Sequence, residues 1–133
     1  MNIRNIDEDP IAYNARNNNI DATLIHIIIK IVSNGNSYKN INNEAIGLMQ
    51  LNPLTLTEYN IESDIEKLLN PTTNIQLGCR LIRYYYNRHG NNMPLDHVKM
   101  INDLWPDFSQ GILYKYHEQI QSMYDNNNLA MGI

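Results

Sequence analysis

Cysteine is nearly missing from this chain: of 133 residues, only Cys79 carries a thiol. No internal disulfide can form, and a cysteine-based zinc site is excluded with it. Cys79 falls in an apolar-periodic stretch, where a free cysteine is expected to be a small buried hydrophobe. Basic charge is scarce as well, with 10 Lys and Arg against 14 Asp and Glu and a net charge of −4. Such a chain gains nothing from the electrostatic pull of nucleic acid or anionic lipid, and no local run of Lys or Arg reverses that. No nucleic-acid partner is expected. Long apolar runs are absent too. The most apolar, Leu24 to Val32, is too short to span a bilayer and carries His26 and Lys30, so no membrane insertion is expected. The segment from Met1 to Pro10 lacks the apolar core of a secretory signal, and the chain reads as soluble. No His, Cys, Asp or Glu spacing supports a metal site: Asp96 with His97, and His117 with Glu118, do not have it. No cofactor is expected.

What is present suits a packed helical domain. A hydrophobic fraction of 43% is ordinary for a globular protein, and the length predicts a single domain over 1–133. Asp21 is an acceptable N-cap for a helix through Leu24, Ile25, Ile28, Ile29 and Val32, apolar on nearly every side and so central and buried. His26 on that helix is expected to be buried or half-buried. The asparagine-rich stretch from Asn34 to Asn43 reads as a loop, and Glu44 to Gln50 as a short helix. Pro53 opens another, and Ser63 with Glu66 forms a capping box ahead of Leu68 and Leu69. Asn70-Pro71 starts a long helix that Gly90 ends. Helices over about 95–104 and 108–124 complete a stack of about seven, with Trp105-Pro106 as a core plug between them. Residues 1–19 read as an N-terminal extension and 125–133 as a polar tail. No strand of period-two alternation is visible.

Three local patterns carry a resemblance. Gly47-Leu48-Met49-Gln50 is followed by Pro53. Asn70-Pro71 is followed by Asn74-Ile75, Gly78, Leu81 and Tyr84. Asn102 lies in Lys99-Met100-Ile101-Asn102. In this order and spacing, over roughly Ile20 to Asp103, they resemble the soluble lytic transglycosylase family. The resemblance implies a mainly α, lysozyme-like fold related to goose-type lysozyme, built around a central buried helix. It also implies a groove for peptidoglycan or another N-acetylglucosamine-containing glycan. Ser33, Met49, Gln50, Tyr84 and Asn102 would be the substrate-binding residues.

The family's chemistry rests on one glutamate, followed by serine, fifteen residues before that first glycine. Counting back from Gly47 without a gap reaches Val32, followed by Ser33. Two further positions depart from the pattern. The serine nine residues after the acid is Ile41, and the tyrosine of the Ala-Tyr-Asn-Ala-Gly motif is Ile101. Relatives use the glutamate twice, as proton donor to the leaving oxygen and as acceptor from the muramyl C6 hydroxyl. Valine can do neither. Glu44 is the only carboxylate between Val32 and the motif and so a candidate for a displaced acid, with His26 and His97 the other titratable candidates. Three functions remain open at this stage. The first is a catalytically degenerate, pseudoenzyme-type domain that binds glycan or a protein partner. The second is an active divergent transglycosylase or muramidase using Glu44. The third is a structural or interaction component of an envelope-crossing or phage assembly.

Overall fold

A computed structural model describes residues 9–90 and 96–130. Among them the chain forms seven helices and one two-stranded hairpin: α1 (Pro10–Asn17), α2 (Ala22–Val32), β1 (Asn40–Ile41), β2 (Ala45–Ile46), α3 (Pro53–Glu58), α4 (Ile65–Leu69), α5 (Pro71–His89), α6 (Asp96–Leu104) and α7 (Ser109–Ala130). The mainly helical, lysozyme-like architecture is as expected.

The central helix α2 starts where its cap predicts. Asp21 accepts the Thr23 N–H at 2.9 Å, satisfying one of the donors that a helix start leaves free. Leu24, Ile25, Ile27, Ile28, Ile29 and Val32 are buried along it. His26 is an exception to expectation: its side chain is 56% exposed, because it occupies the one strip of α2 that also carries the exposed Lys30. Helix α7 packs on α2, and α5 on α1, α4 and α6. One polar link fixes α7 to the start of α2: the Tyr116 hydroxyl donates to Asp21 Oδ2 at 2.6 Å. Burial and this carboxylate both raise the Tyr116 pKa.

Four local expectations need correction. Of the stretch expected as an N-terminal extension, residues 9–19 are described, and there α1 packs against α2 and α5. Arg83 anchors its end, donating to the carbonyls of Asn18 and Asn19 at 2.9 and 3.1 Å. Glu44 to Gln50 is not a helix. The asparagine loop and this segment form the β1–β2 hairpin and a tight loop instead, because Asn42, Asn43, Gly47 and Gln50 all have positive φ, a backbone that no α-helix accepts. The α4 cap is Asp64 rather than Ser63, with Asp64 accepting the Lys67 N–H at 2.8 Å. Finally, α7 continues to Ala130 through the asparagines expected to form a tail. Cys79 is fully buried, as expected, and burial pushes its thiol up to about 12.

Candidate substrate groove

The site is assembled where α2 ends. Val32 occupies the last turn of α2, and its side chain is completely buried. Its carbonyl, one of those a helix end leaves without a partner, accepts a hydrogen bond from Lys39 Nζ at 2.6 Å. The Lys39 ammonium also stands 5.5 Å from the Phe108 ring centroid. A cation at a helix C-terminus opposes the negative end of the dipole. Ser33, the C-cap, turns inward: its hydroxyl donates to the Leu48 carbonyl at 2.7 Å, with the Ile29 carbonyl at 3.1 Å, and accepts the Gly35 N–H at 3.2 Å. Ser33 therefore ties the end of α2 to the Gly47–Gln50 loop.

That loop is closed at its base by two backbone bonds between Ile46 and Leu51, at 3.0 and 3.1 Å. Asn74 on α5 fills its inside. The Asn74 amide donates to the carbonyls of Ile46 (3.0 Å) and Leu68 (2.8 Å), while its oxygen accepts the Met49 N–H at 2.9 Å. Gly47 is required here twice over. Its φ is +80°, and a Cβ would lie 2.2 Å from the Leu68 carbonyl oxygen.

Met49 is fully buried, and its sulfur lies against Gly78, where a Cβ would come within 2.3 Å. From the other side Trp105 donates its indole N–H to the Met49 carbonyl at 2.7 Å. Met49 thus holds the Gly47–Gln50 loop to α5 and the α6–α7 junction from within. Gln50 is buried as well, 4% exposed. Its amide nitrogen donates to Gly47 O (2.9 Å) and Lys39 O (3.1 Å), while its Oε1 has no hydrogen-bond partner among the described residues.

The remaining candidates fall into three places. Ile101 is fully buried on α6, whereas its neighbour Asn102 is exposed. Ile41 is 43% exposed on β1, so it does not share the enclosed environment of Val32 and Ile101. Glu44 is exposed in the turn between the strands. Tyr84 belongs to a different face. Six residues along a helix turn the side chain by about 240°, so Tyr84 points well away from the Gly78 face that meets Met49. It is 40% exposed and borders a polar cleft of about 420 Å³ with Glu62, Lys67, Gln76 and Arg80.

Tyr85, one position on, returns to the buried side. Its hydroxyl donates to Asp103, which Lys99 Nζ also contacts at 2.9 Å. Burial and the Asp103 bond push Tyr85 up to about 12, and the bonds from Tyr85 and Lys99 lower Asp103. Sequence reasoning passed over Lys39. Its only signal was a cation seven residues beyond the helix end, which has no meaning until the loop folds back.

Residues 9–102 match the family model described as Transglycosylase SLT domain. A membrane-bound lytic murein transglycosylase E from Buchnera aphidicola (subspecies Acyrthosiphon pisum) is 34% identical over 83 residues, covering 57% of this chain. The chain spans 38% of the length of that relative. Among the described residues no helix is long and apolar enough to cross a membrane.

Proposed function

As a member of the transglycosylase SLT domain family, this lytic-transglycosylase-like chain is one that, we propose, binds peptidoglycan glycan or a protein partner without cleaving the glycan. One observation supports the reading: Val32, fifteen residues before Gly47, where the resemblance leads one to expect the family's glutamate, has a fully buried apolar side chain. General acid–base assistance from one positioned group is worth about 10²–10⁴-fold. In this family a single carboxylate supplies both proton transfers, so its loss removes both at once. The Gly47–Gln50 loop is nevertheless held in a defined conformation by Ser33, Asn74 and Trp105. An ordered Gly47–Gln50 loop with no carboxylate at position 32 suits binding better than hydrolysis or transglycosylation.

The runner-up is cleavage by a displaced acid, Glu44. It stands exposed at the hairpin turn, whereas a general acid acts from a fixed place within hydrogen-bond reach of the leaving oxygen. Intact sacculi separate the two. The proposal expects the protein to sediment with sacculi, or with a protein partner, and to release no anhydromuropeptides. Cleavage by the unaltered chain that disappears in Glu44→Gln would establish the displaced acid and end the proposal.

A further inference from the structure

We infer that His97 and His117 form a chelating site for a divalent transition-metal cation of the Cu²⁺, Ni²⁺ or Zn²⁺ kind, clamping α6 to α7. The two residues lie on different helices, twenty positions apart, and their Nε2 atoms approach to 2.9 Å. Their ring centroids are 5.2 Å apart and the planes are inclined by 75°. The His97 ring also meets the Tyr116 ring edge-on at 5.3 Å and 86°. Tyr116 is in turn only 7% exposed and anchored through its hydroxyl to Asp21. One ligand thus leans on a fixed wall, while His117 faces solvent.

The separation suits a metal. With metal–nitrogen bonds of about 2.05 Å, two nitrogens 2.9 Å apart subtend about 90° at the cation. That is the cis angle of square-planar or octahedral coordination, as favoured by Cu²⁺ and Ni²⁺. A tetrahedral angle for Zn²⁺ needs the rings to part by only about 0.4 Å. Without metal, one Nε2–H donates to the other Nε2. On binding, that proton shifts to Nδ1 of its own ring, and both Nε2 lone pairs face the cation. Among the described residues no group of three or more His, Cys, Asp or Glu is placed to hold a metal ion, and the inferred site takes two protein ligands, with water to complete the coordination. Imidazole ligands select against Mg²⁺ and Ca²⁺, which take oxygen.

Calorimetric titration of the full chain with CuCl₂, NiCl₂, ZnCl₂ and MgCl₂ tests the site. The expected result is one equivalent of Ni²⁺ or Cu²⁺ bound, weakened about tenfold or more in His97→Gln and in His117→Gln. The double variant should bind no more weakly than either single, because one imidazole is not a chelate. His26→Gln should bind as the unaltered chain does, and Mg²⁺ should not compete. His117 is exposed, so His117→Gln keeps the test valid if His97→Gln fails to fold; circular dichroism checks each variant. Metal should also raise the melting temperature of the unaltered chain and of His26→Gln, but not of His117→Gln. Equal affinity in the unaltered chain and folded His117→Gln overturns the inference, as does the absence of any saturable transition-metal binding.

Discussion

The Trp105 indole N–H donates to the Met49 carbonyl at 2.7 Å, joining residues 56 apart in sequence. Both partners are buried, so the bond has no competing water, and breaking it leaves a carbonyl without its donor. Trp105→Phe should destabilise the fold by about 1–3 kcal/mol. Urea denaturation would measure it, and an unchanged midpoint would mean the bond contributes nothing.

Gly78 and Met49 should behave as one unit. A methyl at Gly78 would collide with the Met49 sulfur at 2.3 Å, and Met49 has no exposed space to move into. Gly78→Ala should cost about 1–3 kcal/mol by overpacking. Met49→Val should relieve much of that collision, so the double variant should be more stable than the sum of the singles implies. Simple additivity would show that the two side chains do not share the space.

Asn74 makes three hydrogen bonds that hold the Gly47–Gln50 loop to α4 and α5 and is fully buried. Asn74→Leu removes all three and strands the Met49 N–H and two carbonyls. A loss of about 3 kcal/mol or more is expected from several unsatisfied groups. Sacculus binding should fall with it, because this loop carries Gln50. Retained binding in a folded Asn74→Leu protein would place the glycan elsewhere.

The Tyr85–Asp103–Lys99 cluster sets two pH limits of opposite sign. Asp103 is lowered in the fold, so its contribution is present above the ordinary carboxylate range and is lost as pH falls through and below that range. Tyr85 is raised to about 12. Its contribution is full below the ordinary tyrosine value and is lost as pH climbs from there toward 12. Asp103→Asn should flatten the acid limb of a stability–pH curve, and Tyr85→Phe the alkaline limb. Both limbs unchanged would remove this cluster as their origin.

Val32→Glu by itself should restore little wall lysis. The side chain at 32 is fully enclosed, and Ile41 and Ile101 stand where the resemblance leads one to expect polar groups. A carboxylate forced there meets burial without a designed partner. Zymography of the variant alongside the unaltered chain checks this, and vigorous lysis by the variant would mean the rest of the catalytic apparatus is intact.

Sequence alone determined what depends on near neighbours. Asp21 before α2 and Asn70-Pro71 before α5 each cap a helix with their own side chain, so the starts were legible. The run from Leu24 to Val32 read as a buried helix, which α2 is, and a count of fifteen residues back from Gly47 reached Val32, on which the proposed loss of the acid rests. Tertiary structure decided whatever requires distant residues to meet. The Gly47–Gln50 loop is held by Asn74 and Trp105, and without these partners its polar and apolar residues look like a short helix. Lys39 reaches the end of α2 only after the hairpin turns it back, and His97 meets His117 only once α6 lies on α7. Caps and periodicity act within a turn or two of chain, while hydrogen bonds across tens of residues exist only in the folded molecule.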